Sequence, residues 1–167
     1  MASILNVDQI NNAAGTSAVT IDASTGKPSF PNGATLPAGS VLQVLSTSTS
    51  GGVSTTSSSY VTTGVNLSIT PTSSSNKIMV IFSGGAQNGS SAGGTKISVY
   101  RDGSQVYDPS LVHFTASGGN SVSGFCVQYL DSPATTSSVT YTPYFLAFNA
   151  GTAYANNLQI TLMEIAQ

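Results

Sequence analysis

The sequence predicts an all-β chain, a β-sandwich or jelly roll of about eight to ten strands, and three observations carry that expectation. No long window places apolar residues at the i, i+3, i+4, i+7 spacing of an amphipathic helix. Short β-branched runs instead recur between clusters of Gly, Pro, Asn, Asp and Ser. Finally, 40% of residues are hydrophobic and only 6% are charged, so the chain lacks the low hydrophobicity and high net charge of a disordered one.

The first strand of the main series is Val41–Leu45, followed by a polar loop from Ser46 to Ser59. Tyr60–Thr62 and Val65–Thr70 come next, and Pro71–Asn76 forms a turn. Lys77–Phe82 is a continuous apolar strand, and a glycine-rich loop is expected from Gly84 to Gly94. Thr95–Tyr100 leads into Arg101-Asp102-Gly103-Ser104, a hairpin signal that pairs Gln105–Tyr107 back onto it. Ser121–Leu130, Val139–Phe148 and Leu158–Ile165 complete the set.

Residues 1–39 differ from this head of residues 40–167. Ile4, Leu5, Val7 and Ile10 form a short apolar segment and are the candidate anchor of an extended arm. Ala18–Asp22 alternates as a strand would, and the prolines at 28, 31 and 37 interrupt regular structure. So little apolar surface predicts an arm ordered only against a partner or another copy.

Two strands are apolar on both faces. In the last one, Ile160, Leu162 and Glu164 share one face, while Thr161, Met163 and Ile165 share the other. Tyr144, Phe145, Leu146 and Phe148 crowd the preceding strand. A sandwich strand in a monomer usually has one polar face, so these residues, with Leu162 and Ile165, are expected to divide between the core and a subunit interface.

The chemistry-bearing residues are few. His113 is the single histidine and lies between apolar neighbours. A triad would need it beside Asp102, Asp108 or Asp131 and a serine, and no G-x-S-x-G turn is present. The acids show no pairing of the kind that glycoside hydrolysis uses. No Cys/His cluster or alternating Asp run suggests a metal, and no cofactor motif occurs. Glu164 reads first as a polar interface residue hydrogen-bonded to Ser, Thr or Tyr and is the best candidate were an ion held on a symmetry axis, and Cys126 reads as a buried small hydrophobe. The expectation is therefore a protein that is not an enzyme and has no cofactor. Four scattered cations and a net charge of −2 argue against nucleic acid. No apolar run approaches a membrane span, and the N-terminus lacks the basic and apolar regions of a signal peptide.

The order of several motifs carries a family resemblance. Met1–Ile10 followed by Ala18–Asp22, then Gly39–Val44, Tyr60-Val61 and Leu67–Pro71, Ser73–Val80, Tyr100–Gly103 and Leu162–Ile165 together resemble tail-fibre-like structural proteins of marine and cyanobacterial phages. The resemblance implies a homotrimeric jelly-roll head, similar to tumour-necrosis-factor and complement-C1q-like domains, on a short attachment arm. It implies a virion location, contacts of the arm with other virion proteins, and attachment to a host-surface glycan or protein. A capsid-decorating, collar or head-fibre protein is the alternative. A secreted C1q-like module is a third reading, disfavoured because no collagen repeat is present. Candidate receptor contacts are Asn88 in the Ser83–Thr95 loop, Tyr107, His113 and Phe114 around the Asp108–Asn120 segment, and Tyr154 in the Asn149–Asn157 loop.

Overall fold

The computed structural model describes residues 8–11, 14–30, 36–90, 92–114, 121–149 and 151–167. Among these residues every regular element is a strand, and every strand pairing is antiparallel. The chain divides into two compact units, Met1–Leu36 and Pro37–Gln167.

The first unit is a small meander. β1 (Gln9–Asn11), β2 (Ser17–Ile21) and β3 (Pro28–Ser29) pair in that order. Asp22 turns the chain back: its Oδ1 accepts hydrogen bonds from the backbone N–H and the hydroxyl of both Ser24 and Thr25. Those four donors hold the Asp22 carboxyl down at about 2. The expected extended arm is thus folded into a three-stranded sheet, because this Asx turn closes the β2–β3 hairpin. Ile10 sits on β1 and is half exposed. Ile4, Leu5 and Val7 lie outside the described residues.

The second unit contains β4 (Val41–Ser48), β5 (Gly52–Thr55), β6 (Val61–Thr62), β7 (Leu67–Ile69), β8 (Lys77–Asn88) and β9 (Gly94–Arg101). It continues with β10 (Ser104–Tyr107), β11 (Leu111–Phe114), β12 (Ser121–Asp131), β13 (Val139–Phe148) and β14 (Ala153–Ile165). One sheet has the order β12-β8-β14-β4, with β5 continuing the β4 edge. The other has the order β10-β9-β13-β6, with β11 also on β9 and β7 also on β13. From β7 to β8, β8 to β9, β11 to β12, β12 to β13 and β13 to β14 the chain changes sheet each time.

The two sheets close on one core. Ile78, Val80 and Phe82 of β8, Ile160 and Leu162 of β14 and Val127 of β12 meet Val99 of β9, Ile69 of β7, and Val139 and Tyr141 of β13. A second cluster, at the other end, joins Ile97, Phe145 and Ala147 to Ala153, Ala155 and Leu158. The period-2 alternation of β8 explains its place: Ile78, Val80 and Phe82 point inward, while Met79 and Ile81 point outward.

Pro143 lies mid-strand in β13, where a missing N–H would ordinarily break a ladder. Its carbonyl points away from β9 and accepts bonds from the Thr63 N–H (3.1 Å) and hydroxyl (2.9 Å). In a strand, the N–H and C=O of one residue point to the same side. The absent donor therefore falls at the break between β7, which pairs with residues 139–141, and β6, which pairs with residues 144–145.

Several expected loops are strands. The Gly84–Gly94 loop is shorter, because β8 runs on through Gly84 and Gly85 to Asn88. The Ser46–Ser59 loop contains the end of β4 and all of β5, and Tyr154 lies on β14 rather than in a loop. Leu111–Phe114, read as part of a loop segment, is β11. One irregularity explains three of these elements. β14 bulges between Asn156 and Gln159, with Asn157 at φ 48°. On one side the bulge separates β5 from β4, where the Asn157 N–H bonds the Gly51 carbonyl (2.7 Å) and the Gly51 N–H bonds Asn157 Oδ1 (3.1 Å). On the other side it presses on Gly84, where a Cβ would lie 2.8 Å from the Asn156 carbonyl oxygen. The Asp102-Gly103 hairpin matches its sequence signal, with both residues at positive φ (49° and 79°) as a two-residue turn of the I′ type requires.

Gly84→Val should lower stability by about 1–3 kcal/mol, because the atom it meets is backbone and cannot swing aside. Gly85→Ala, whose nearest neighbour would be 3.6 Å away, should stay close to wild type. Urea denaturation of the two variants checks the contrast.

Candidate functional site

The two outer faces of the sandwich differ from an ordinary polar surface. On the β12-β8-β14-β4 sheet, residues that do not point into the core line up across four strands by register. Val44 pairs with Met163, Met163 with Met79, and Met79 with Leu130. Val44 and Leu130, at the flanks of this row, are 54% and 42% exposed, and Met79 and Met163 between them are half-buried. The adjacent row is Ser46, Thr161, Ile81 and Gln128. Ile165, at the end of β14, is paired with Val41 and Lys77. Lys77 is the one charged group in these rows, and it stands at their corner. The result is a continuous apolar band on a sheet face that the chain's own core does not use.

The interface candidates from β13 and β14 separate cleanly by face. Phe145 and Leu162 are core residues, at 1% and 0% exposed. Ile165 is on the outer face just described. Tyr144, Leu146 and Phe148 are on the outer face of the opposite sheet, where the Tyr144 ring stacks on Tyr100 (centroids 3.8 Å apart) and Lys96 stands over the Phe148 ring at 4.9 Å. Leu146, between them, is nearly covered.

Two buried carboxylates cross-link the fold. Glu164 faces inward and is fully buried. Its Oε1 accepts from the Thr72 N–H (2.7 Å), the Thr72 hydroxyl (2.8 Å) and Asn76 Nδ2 (2.7 Å), and its Oε2 accepts from Gln43 Nε2 (2.7 Å). Burial alone would raise its pKa; the donors from Asn76, Gln43 and Thr72 outweigh burial and lower it. The idea of Glu164 as an axial ion ligand is therefore corrected: both carboxylate oxygens are consumed inside one chain, tying β4 and the 70–76 turn to β14. Asp131 is the second. Its Oδ2 accepts from Arg101 Nη1 and Tyr141 Oη, each at 2.6 Å, joining the two sheets at one end of the core. Burial, and then Asp131, raise the pKa of the Tyr141 phenol, so it stays a neutral donor.

The candidate receptor residues do not form one site. Asn88 is fully buried at the end of β8; its Nδ2 donates to the Gly94 carbonyl and its Oδ1 accepts from the Ser90 N–H. It is therefore corrected from a contact residue to a turn-closing one. Tyr107 stacks on Tyr129 at 4.8 Å against the core edge. His113 is 7% exposed, and its ring nitrogens lie 2.7 Å from Ser123 Oγ and 3.2 Å from Ser121 Oγ. Of its possible triad partners, Asp131 holds Arg101 and Tyr141, Asp102 holds the Thr140 N–H, and Asp108 holds the Ser110 N–H. Phe114 is 46% exposed and Tyr154 is half-buried. Cys126 corrects another expectation: it is exposed, because β12 is an edge strand and turns it outward between the inward Phe125 and Val127. Among the described residues no group of three or more His, Cys, Asp or Glu could hold a metal. A cleft of about 280 Å³ lies between the 49–53 and 63–65 segments, over Ala155 and Leu158.

No protein-family model matches the chain, and no curated protein matches it. Among solved structures it is similar to dimeric latent PorU from Porphyromonas gingivalis, with 13% identity over 80% of this chain and a TM-score of 0.48. It is also similar to infectious bursal disease virus VP2 in its subviral particle, with 8% identity over 87% of this chain and a TM-score of 0.47. The chain spans only 14% and 36% of those two proteins.

Glu164→Gln should lower stability at pH 7 by about 1–3 kcal/mol, since the new amide N–H₂ would face donors. The wild-type carboxyl is depressed on folding, so its contribution is present above its ordinary value of 4.5 and is lost as pH falls through the lower folded value. The gap between wild type and variant should therefore narrow at pH 3, which urea titrations at the two pH values measure. Tyr141→Phe, which removes one of two donors to Asp131, should cost about 1–2 kcal/mol by the same assay.

Proposed function

We propose that this chain is a non-enzymatic structural protein of a virion, a homotrimer of jelly-roll heads of the phage fibre or appendage type that takes part in host attachment. The observation that carries the reading is the apolar band Val44–Met163–Met79–Leu130 on the outer face of the β12-β8-β14-β4 sheet. A face with that composition and one corner lysine suits an uncharged, apolar cover, and the neighbouring copies of a three-fold ring supply it. In a closed ring of three, each subunit meets its two neighbours through two different patches, and the apolar row is one of them.

The jelly-roll assignment follows the strand order. With β4/β5 and β6/β7 each counted as one broken row, and β10/β11 as another, the sheets hold four rows each, and the chain changes sheet at every step except from β9 to the β10/β11 row. This order supports the reading of a jelly roll built from two Greek keys. The family resemblance of the sequence supplies the trimer and the virion. The meander at the N-terminus is the part suited to joining the head to other virion proteins, with Ile10 and Phe30 each half exposed on it.

Light scattering on the purified protein tests the assembly. The expected mass is three times 16.9 kDa. Met79→Glu, which places a charge in the centre of the band, should weaken association by more than about 2 kcal/mol and release a folded monomer. A wild-type monomer with an unchanged fold removes the reading.

A further inference from the structure

The outer face of the other sheet carries a cluster that the assembly does not use. Tyr100 leaves β9 and Tyr144 leaves β13 on the same side, and their rings lie 3.8 Å apart at 13°. Tyr60, just before β6, meets Tyr100 edge-on at 6.1 Å and 61°. Chain positions about forty residues apart are thus gathered into one aromatic group by strand pairing. The Tyr60 hydroxyl is buried and makes no hydrogen bond of standard geometry. Burial, and then interaction with the neighbouring Asp108 carboxylate, oppose its ionisation, so it is a neutral phenol directed at Asp108. Burial and the same carboxylate act on Tyr100 in the same direction.

We propose that Tyr60, Tyr100 and Tyr144, with Asp108, form a binding site for a neutral saccharide. A pyranose offers C–H faces to an aromatic ring and hydroxyls to a phenol and a carboxylate, and this site holds both kinds of partner together. The surroundings select against the alternatives. Thr142 and Thr62 add hydroxyls on the same face of the sheet rather than charge, and Asp108 repels acidic ligands. The rings are already fixed by stacking on each other, so little side-chain entropy is lost on binding. The inference deepens the attachment reading and rests on it for the biological role, whereas its chemistry stands on the tyrosines alone.

The test is saturation-transfer NMR and titration of the full chain with methyl glycosides and trisaccharides of glucose, galactose, mannose and N-acetylglucosamine. At least one should bind with a millimolar or tighter constant. Tyr144→Ala and Tyr100→Ser should each weaken it by about 10-fold or more, and Tyr144→Phe should keep it within about 3-fold. Tyr60→Phe should weaken it while leaving the thermal midpoint in place, which separates a lost contact from a lost fold. Binding by no member of the set, or binding indifferent to folded Tyr100 and Tyr144 variants, overturns the proposal. Tetramethylammonium bound at the tyrosines in place of sugar also overturns it, in favour of a cation site. The mass measurement keeps the two readings apart: a trimer that binds no sugar sinks only this inference, and a monomer that binds sugar sinks only the assembly.

Discussion

A chain with four cationic and six acidic side chains has very little charge with which to solvate its surface, and it buries two of the acids and commits one of the cations to one of them. Arg101 and Asp131 bond to each other, and Glu164 is closed off by Gln43, Thr72 and Asn76. What remains outside is a few scattered charges among Ser, Thr, Asn and Gly, adequate for loops and edges but not for a sheet face of Met, Val, Leu and Ile. The architecture follows from that shortage. The two carboxylates fix the sandwich at one end, where both flank Ile78 in the ladder, and the apolar row is left on the outer face.

β14 is the strand on which these demands meet. Its inward side supplies Ile160 and Leu162 to the core and Glu164 to the polar knot, and its outward side supplies Met163 and Ile165 to the band. Its bulge at Asn157 divides the strand into two stretches that pair with β5 and β4 on one side and with the two halves of β8 on the other. An extra residue in a strand re-aims everything beyond it. Here it lets Leu158 and Ala155 face one core cluster, while Ile160 and Leu162 face the other.

Much of this was legible in the sequence wherever local pattern and tertiary need agree. The all-β class, the Asp102-Gly103 hairpin, and the two faces of the last strand with Glu164 on the Ile160–Leu162 side follow from period-2 alternation and turn chemistry. The errors have a common source, which is that local composition does not show what lies across the ladder. Gly84 and Gly85 read as loop because glycine is a turn residue, but Gly84 is small to admit the Asn156 carbonyl, seventy residues away. The Ser/Thr stretch after β4 reads as loop because its side chains are polar, yet its backbone forms an edge strand. Cys126 reads as buried because its neighbours are apolar, but alternation on an edge strand sends neighbours in opposite directions. The tyrosine cluster could not be found at all from spacing, since Tyr60, Tyr100 and Tyr144 meet only through the β9–β13 pairing and the turn into β6.

The two outer faces also make sense together. Each sheet of a sandwich has one face in the core, so the molecule has two outer faces, and here both carry side chains that water does not favour. They differ in kind. One carries an aliphatic row, Val44–Met163–Met79–Leu130, beside the mixed row Ser46–Thr161–Ile81–Gln128, which suits close packing against a neighbouring protein surface. The other mixes rings with hydroxyls and a carboxylate, which suits a hydrated ligand with both apolar faces and polar edges. Were the aliphatic face turned toward a symmetry axis, the tyrosine face of each protomer would point away from it, so assembly would leave the ligand site open. A substitution that disrupts one face need not disturb the other, because the two are separated by the full thickness of the core, and the residues of each are held by different strands.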